Sequence, residues 1–557
     1  MEKAENLKPD KLVGALIGAA VGDALGWPDE QNSKNISKDN PKDAEMFQKW
    51  IRRDGGRYWS HDEEIYPGEY SDDTQLIIST ARSLRYGPSW GKYFTKVELP
   101  AWLSYERGGG GATKRAAEAW KRGNNPWNLD KEKKSDIERY FNAGGNGVAM
   151  RILPHVFKSE GNWDEIMHQV LLNGIYTHGH PRALIGAILY ADALIYLLNN
   201  EKILGYGELV DYLLGRKDKW GAFPNEQKLE GWLSVADTIF KDKYKDMWSN
   251  TAQEVIDLLK VVREGLDQGA LDIGSEVLEK LGCFDKKVNG AGTVTAVAAI
   301  YLASKYASSP RLALAEAAHL KNSDTDTLAS MVGGLIGMLH GTEFLSVSWL
   351  DIQDYEFLKG LIHQKSVVDE VLKAPLFDYY NNEMKAWLKQ MKLGDYFNVQ
   401  PFGKITLREK RPNKSIAKGA VVNTLKLVSE EGQTIFVKTF EKGSEEKQVS
   451  GQERPGNEPA YQQTVLQQQI PVDKVATGNT YKPVLDSRKV RGLVNLFPEK
   501  LEVDICLQFI ADVMGELERS GTGKIDQKGY QYLCEKWVKY RFDTKNIEKA
   551  IKVILQH

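Results

Sequence analysis

A chain of 557 residues is longer than one ordinary hydrophobic core sustains, so two or more domains are expected. The apolar fraction of 42% and charged fraction of 27% fit a soluble globular protein, and a formal charge of −2 leaves no basic excess for binding nucleic-acid phosphates. The three cysteines, Cys283, Cys506 and Cys534, lack CxxC spacing, which argues against a zinc site or disulfide framework and for a reducing, cytoplasmic setting.

The first apolar run, "LVGALIGAAVG" (Leu12–Gly22), is too short to span a bilayer. The residues before it mix acids with bases, unlike a signal peptide, so it reads as a buried helix. Gly14, Gly18, Gly22 and Gly26 recur at every fourth position and form a stripe on one helical face. Glycine weakens a helix, so the stripe implies that something packs close against the backbone there. From Asn35 to Tyr70 the chain is polar and ends in "RRDGGRYWSHDEEIYPGEY", which reads as a long loop.

Next comes "GEYSDDTQL" (Gly68–Leu76), with Asp72 and Asp73 side by side ahead of an apolar run. As a helix start, Ser71 caps it and both acids sit at the positive end of the macrodipole. Apolar residues then recur at three- and four-residue spacing in "TKRAAEAWKRG", "LIGAILYADALIYLLNN" and "TVTAVAAIYLASKYA", so the chain reads as helical up to about Tyr396, with a charged, Trp-rich insertion over about 202–286. Within that stretch "KNSDTDTLASMVGGLIG" (Lys321–Gly337) repeats the earlier grammar, with Ser323, Asp324, Thr325, Asp326 and Thr327 ahead of a small-residue helix.

Two such helix starts read either as ordinary caps or as two halves of one site. Four carboxylates brought together would raise one another's pKa unless cations were present. Oxygen ligands without Cys or His suit hard divalent ions, two Mg²⁺ or Mn²⁺, bridged by a carboxylate from each half.

After about Gly394 the texture alternates. "GKITLREKRPNKS" and "VVNTLKLVSEEGQTIFVKTFEKG" predict β-strands, with a hairpin turn at "SEEGQ". The basic run Lys404–Lys418 reads as a solvated strand edge rather than an anion-binding patch. A Gln-, Pro- and Gly-rich stretch from Gly443 to Pro483 reads as an extended or partly disordered excursion, and two or three helices close the chain. The expected organisation is a helical domain over 1–395 and a smaller α+β domain over 396–557.

The order of motifs resembles the ADP-ribosylglycohydrolase family, all-helical dimetal hydrolases that remove ADP-ribose from modified targets. The resemblance rests on "GALIGAAVGDALGWPDE" (Gly14–Glu30), "PGEYSDDTQL" (Pro67–Leu76), "ERGGGGATKRA" (Glu106–Ala116), "GGNGVAMRILP" (Gly144–Pro154), "THGHPRA" (Thr177–Ala183) and "SDTDTLASMVGGLIGMLHG" (Ser323–Gly341). It implies an all-α orthogonal bundle over about the first 345 residues. It also implies that Ser71, Asp72, Asp73, Asp324, Asp326 and Thr327 hold two metals, with Glu30 on a loop that closes over them. This chain has Asn322 and Ser323 where the family usually has two glycines.

The two glycine loops read as backbone cradles for a diphosphate, through Gly109, Gly110 and Gly111 and through Asn146 and Gly147. Neither a P-loop GK[ST] nor a Rossmann fingerprint is present. Arg151 either reaches the phosphates or ties its loop down, the second being favoured, and the resemblance makes His178 a hydrogen-bond donor to ADP-ribose.

The implied reaction is hydrolysis of the bond between ADP-ribose and an acceptor, with arginine first, then serine or a non-protein group. Glu30, Asp73 and Asp324 are the candidates for general base. The competing readings are a catalytically silent ADP-ribose-binding or structural relative, and a different dimetal hydrolase such as a nucleotide phosphatase. The C-terminal segment is open to roles in binding a modified target or a toxin, or in assembly.

Overall fold

The computed structural model describes residues 2–30, 43–157, 163–224, 226–268, 275–363, 373–442, 509, 512–513 and 527–537. The chain divides into two compact units, Met1–Lys447 and Gln448–His557. In the first, the helices of seven residues or more are α1 (Glu2–Glu30), α2 (Asp72–Leu84), α3 (Gly111–Lys121), α4 (Lys134–Phe141), α5 (Trp163–Ile175) and α6 (Pro181–Asn199). They continue through the insertion as α7 (Glu208–Gly215), α8 (Glu226–Phe240), α9 (Tyr244–Gln268) and α10 (Ser275–Leu281). Beyond it lie α11 (Gly292–Lys305), α12 (Pro310–Ala318), α13 (Thr325–His340) and α14 (Asn382–Gln390).

The centre of this unit is the antiparallel pair α1 and α13, and the glycine stripe explains it. A Cβ placed at Gly14, Gly18, Gly22 or Gly26 would fall on main-chain atoms of Gly341, Gly333, Ala329 or Thr325, and Gly333 and Gly337 are equally blocked by Gly18 and Gly14. The two backbones therefore touch along four turns, a register that only residues without a side chain allow. From Val13 to Trp27 almost every residue of α1 is buried, as an all-round apolar helix requires. α6 is long and apolar enough to cross a bilayer, yet most of it is buried in the same core, against α11 and α5.

The stretch expected to be a loop before Tyr70 instead holds a hairpin, β1 (Trp50–Asp54) paired antiparallel with β2 (His61–Ile65). A short strand, β3 (Tyr396–Val399), precedes the expected β-strands, which are present as β4 (Gly403–Ser415), β5 (Ala420–Ser429) and β6 (Thr434–Lys442), with β5 and β6 forming the hairpin. The surprise is their partner. His61 and Asp62 of β2 pair with Ser415 and Lys414 of β4, giving one sheet in the order β1-β2-β4-β5-β6 with β3 on β4. The compact units divide at 447/448, and the sheet draws strands from both sides of 395/396. Its inner face, with Phe402, Ile405, Leu407, Leu425, Leu427, Ile435 and Val437, packs on Leu76, Phe94, Trp102 and Tyr105.

In the second unit, α15 (Gln527–Trp537) buries Leu533 and Trp537. Trp537 meets Phe509 edge-on at 5.1 Å and donates its indole N–H to Asp512 at 2.9 Å. The excursion expected at Gly443–Pro483 and the last expected helix lie outside the described residues.

Candidate functional site

The site is assembled by α1. Near its end Asp23, fully buried, accepts hydrogen bonds from the Ser71 N–H at 3.0 Å, the Thr74 N–H at 3.0 Å and the Thr74 hydroxyl at 2.6 Å. It thereby satisfies backbone donors that the first turn of α2 leaves open. Ser71 is the N-cap, as expected, and its hydroxyl accepts the Asp73 N–H at 3.4 Å. On the opposite side the glycine register delivers the start of α13 to the end of α1, where the Thr325 hydroxyl donates to the Gly26 carbonyl at 2.8 Å.

The two acidic motifs consequently meet. The Thr327 hydroxyl donates to Asp73 Oδ2 at 3.3 Å across 254 residues of sequence. Carboxylate oxygens of Glu30, Asp324 and Asp326 lie within 4.8 Å of one another, and accessibility falls from Glu30 to Asp326.

Burial pushes the carboxyl pKa values of Asp72, Asp73 and Asp326 well above the ordinary aspartate value, and like charge adds to it. Asp72 feels Glu106, Asp23 and Glu30; Asp73 feels Asp23, Asp72 and Asp324; Asp326 feels Glu30, Asp324 and Asp73. Asp73 Oδ1 is buried without a hydrogen-bond partner among the described residues. An orphaned carboxylate oxygen among crowded acids, with hydroxyls from Ser71 and Thr327 alongside, is a donor set that fits hard divalent cations.

The other expected residues make contacts more specific than the sequence suggested. The Asn146 amide donates to Asp324 Oδ2 at 3.0 Å and to the Thr295 hydroxyl at 3.1 Å, so it orients the Asp324 carboxylate. Gly147 leaves room for the His178 imidazole, which would lie 3.2 Å from a Cβ there. His178 is buried, its Nδ1 2.7 Å from the Thr177 hydroxyl, and burial together with Arg151 and Arg115 drives its pKa down to about 3. Of the first glycine loop, Gly109 already donates its N–H to Glu106 at 2.8 Å, and its missing Cβ is required by Trp102. Gly110 is the N-cap of α3 and Gly111 its first residue.

Arg151 ties its loop down as favoured, donating to the Gly147 and Asn173 carbonyls at 2.6 and 2.8 Å and to the Thr177 hydroxyl at 2.7 Å. Asn322 adopts φ +68°, the left-handed region where a family glycine is at ease and Asn is tolerated. The insertion packs under the histidine loop: Trp232 donates to the Tyr140 hydroxyl at 2.8 Å and Tyr244 to the Gly179 carbonyl at 2.6 Å. Beside it opens a cavity of about 210 Å³ lined by residues including Arg115, Arg122, Asp136, Tyr140 and Thr177. Sequence reasoning missed Asp23 and Glu106 as parts of the site. The only signal for Asp23 was a lone acid inside an otherwise apolar helix.

Comparison with known proteins bears on this arrangement. The "ADP-ribosyl-[dinitrogen reductase] glycohydrolase" of Rhodospirillum rubrum is 25% identical over 219 residues, which are 37% of this chain and 58% of the relative. The chain therefore spans a little over half the length of that curated relative. A solved "ADP-ribosylglycohydrolase-related protein complex" superposes with a TM-score of 0.40 at 20% identity, over 64% of this chain and 97% of that one. Residues 4–377 match the ADP-ribosylglycohydrolase family as a whole, which is more than half of the sequence and includes every acidic residue of the site. The chain belongs to the ADP-ribosylglycohydrolase family.

Proposed function

We propose that this protein is a divalent-metal-dependent hydrolase that cleaves the bond between ADP-ribose and a modified acceptor, with an arginine side chain as the first candidate, and releases ADP-ribose. The observation that carries the reading is the meeting of the two acidic motifs through Thr327 and Asp73, with the Glu30–Asp324–Asp326 cluster beside them. Family membership supplies the reaction class.

Ser71, Asp72, Asp73, Asp324, Asp326 and Thr327 would hold two Mg²⁺ or Mn²⁺ ions. Bound there, such ions supply Lewis acidity toward the ribose hydroxyls and acidify a water molecule. The remaining work belongs to the chain. Asn146 holds Asp324 in one orientation. The crowd of carboxylates opposes the positive charge that develops on the sugar as its bond to the acceptor breaks. Glu30, Asp73 or Asp324 takes the proton of the attacking water. His178, kept neutral by burial, offers a hydrogen bond without adding a positive charge beside the sugar. The N–H groups at the start of α3 face a diphosphate as an uncapped helix N-terminus does.

The test is hydrolysis of ADP-ribosyl-arginine with and without Mg²⁺ or Mn²⁺, for the wild type and for Asp72→Asn and Asp326→Asn. Free ADP-ribose from the wild type and at least roughly a hundredfold loss in both variants are expected, the scale on which removal of a transition-state electrostatic group acts. Metal-dependent turnover retained in both variants defeats the assignment, and release of inorganic phosphate instead of ADP-ribose from a nucleotide substrate favours a phosphatase.

A further inference from the structure

The sheet contributes more than a cover. Glu69, two residues before Ser71 and 7% exposed, is shared between two guanidinium groups. One of its oxygens accepts from Arg107 at 2.9 Å and the other from Arg411, on β4, at 2.7 Å. Arg107 is 1% exposed and also donates to Glu63 of β2 at 3.2 Å. Its guanidinium lies 4.2 Å from the ring centre of Phe436 on β6 and 5.2 Å from that of Trp27 on α1. Among the described residues Nε and Nη1 of Arg107 have no hydrogen-bond partner, so its hydrogen bonds to the two glutamates fix the direction of this buried cation.

The residue that follows Arg107 is Gly108, at φ +105°. A Cβ there would stand 3.2 Å from Asp72 Oδ1, so the turn lies directly against an acidic ligand.

We infer that Arg411 is a positioning residue of the active site. Through Glu69 and Arg107, the sheet holds the Gly108 turn and the Ser71–Asp73 motif in register with each other. The inference rests on the site described above. A planar guanidinium that reaches Glu69 while stacking 4.2 Å from the Tyr66 ring and 5.1 Å from the Phe436 ring does something a lysine cannot fully copy. Without it, Glu69 keeps one partner, and the pair it forms with Arg107 loses its anchor on the sheet.

The experiment uses the full chain with Arg411→Met, Arg411→Lys and, as a comparison, Arg85→Met. Arg85 pairs with Glu431, at the β5–β6 turn, at 3.0 Å, far along α2 from its acidic start. Three readouts are taken: Mn²⁺ affinity by electron paramagnetic resonance of the free ion, hydrogen exchange of the Arg107–Gly111 and Ser71–Thr74 amides, and kcat and KM on ADP-ribosyl-arginine. In folded Arg411→Met, Mn²⁺ affinity should fall about tenfold or more and the named amides should exchange about tenfold faster, as loss of an outer-shell partner does. kcat should fall about tenfold or more with KM changed less than about threefold, the mark of misplaced rather than missing groups. Arg411→Lys should recover part of each loss, and Arg85→Met should leave all three unchanged.

Mn²⁺ affinity and amide exchange within about twofold of wild type in folded Arg411→Met overturn the inference. An inactive wild type that binds Mn²⁺ overturns the proposed reaction instead, while affinity and exchange still decide the role of Arg411. Should Arg411→Met not fold, Glu69→Gln carries the same expectations and the same refutation.

Discussion

Gly108 shows how much a single residue carries here. Its φ of +105° is open to glycine and strained for other residues, and the space a methyl group would need is bounded by Asp72 Oδ1 at 3.2 Å and Trp27 Nε1 at 3.4 Å. Gly108→Ala is therefore expected to cost about 1–3 kcal/mol in backbone strain and to displace Asp72. Calorimetric Mn²⁺ titration should show affinity lowered about tenfold or more, against a smaller change in thermal stability. His178 makes a different prediction. With its pKa held near 3, its imidazole should stay neutral from pH 8 to pH 5, visible as ring NMR shifts that do not move, and the pH profile of activity should carry no inflection from it. An imidazole titrating between pH 6 and 7 would contradict the buried placement. At this scale the acids of the two motifs were legible, because paired Asp at a helix start is an unusual pattern. Asp23 was not, because one acid in an apolar helix looks the same whether it faces solvent or caps a neighbour.

At the scale of elements, the α1–α13 contact turns a repeat of four glycines into a site. The stripe was readable as a demand for close packing by an unnamed partner, and only the register shows that Gly26 meets Thr325 and so sets Glu30 beside Asp326. Gly22→Ala should force the helices apart, because its Cβ would overlap the Ala329 carbonyl group. Overpacking of this kind costs typically 1–3 kcal/mol, and Mn²⁺ affinity should fall with it. Gly231→Ala in α8 is the counterpart. That position is exposed with nothing within 4 Å of a Cβ, so the same chemical change should raise stability by about 0.5–1 kcal/mol through helix propensity and leave Mn²⁺ affinity alone. Thermal unfolding of the two variants checks both signs. The β1–β2 hairpin escaped sequence reading for a reason of the same kind. Its inward positions include Arg52, His61 and Glu63, so the strand alternates buried and exposed residues without alternating apolar and polar ones. The inward Glu63 is matched by residues far away in sequence, Arg107 and Lys438, which no local pattern reveals.

For the whole unit, the buried ion network and the apolar seam beneath the sheet decide how far the chain can be cut or acidified. Burial alone would raise the Glu63 pKa, but Lys438, Arg107 and Arg52 outweigh it and bring it to about 2 from the ordinary 4.5. A depressed carboxylate stabilises the fold above its unfolded pKa and loses that contribution as pH falls from about 4.5 toward 2, a difference of roughly 3 kcal/mol. The stability gap between wild type and Glu63→Gln, followed by chemical denaturation, should thus be wide at pH 7 and narrow as pH drops through that window. A gap independent of pH would mean that Glu63 has the same pKa in the folded and unfolded chain, and a gap that narrows as pH rises would mean that the fold keeps it protonated.

The same network predicts where the chain tolerates truncation. Ending it at 395 would remove Phe402, Ile405, Leu407, Leu425, Leu427, Ile435 and Val437 from the seam against α2 and the Trp102 segment. At about 1.5–3 kcal/mol per buried apolar side chain, the loss of these seven, about 10–21 kcal/mol, matches or exceeds the net stability of an ordinary domain, about 5–15 kcal/mol, and it also takes Lys438 from Glu63 and Arg411 from Glu69. Ending it after Lys447 leaves the first unit's contacts intact. Residues 1–395 should therefore be insoluble or unfolded by circular dichroism, whereas residues 1–447 should fold, bind Mn²⁺ and release ADP-ribose from ADP-ribosyl-arginine at near the full-length rate. A soluble, active 1–395 fragment would show that the sheet is an accessory to the helical core and not one of its walls.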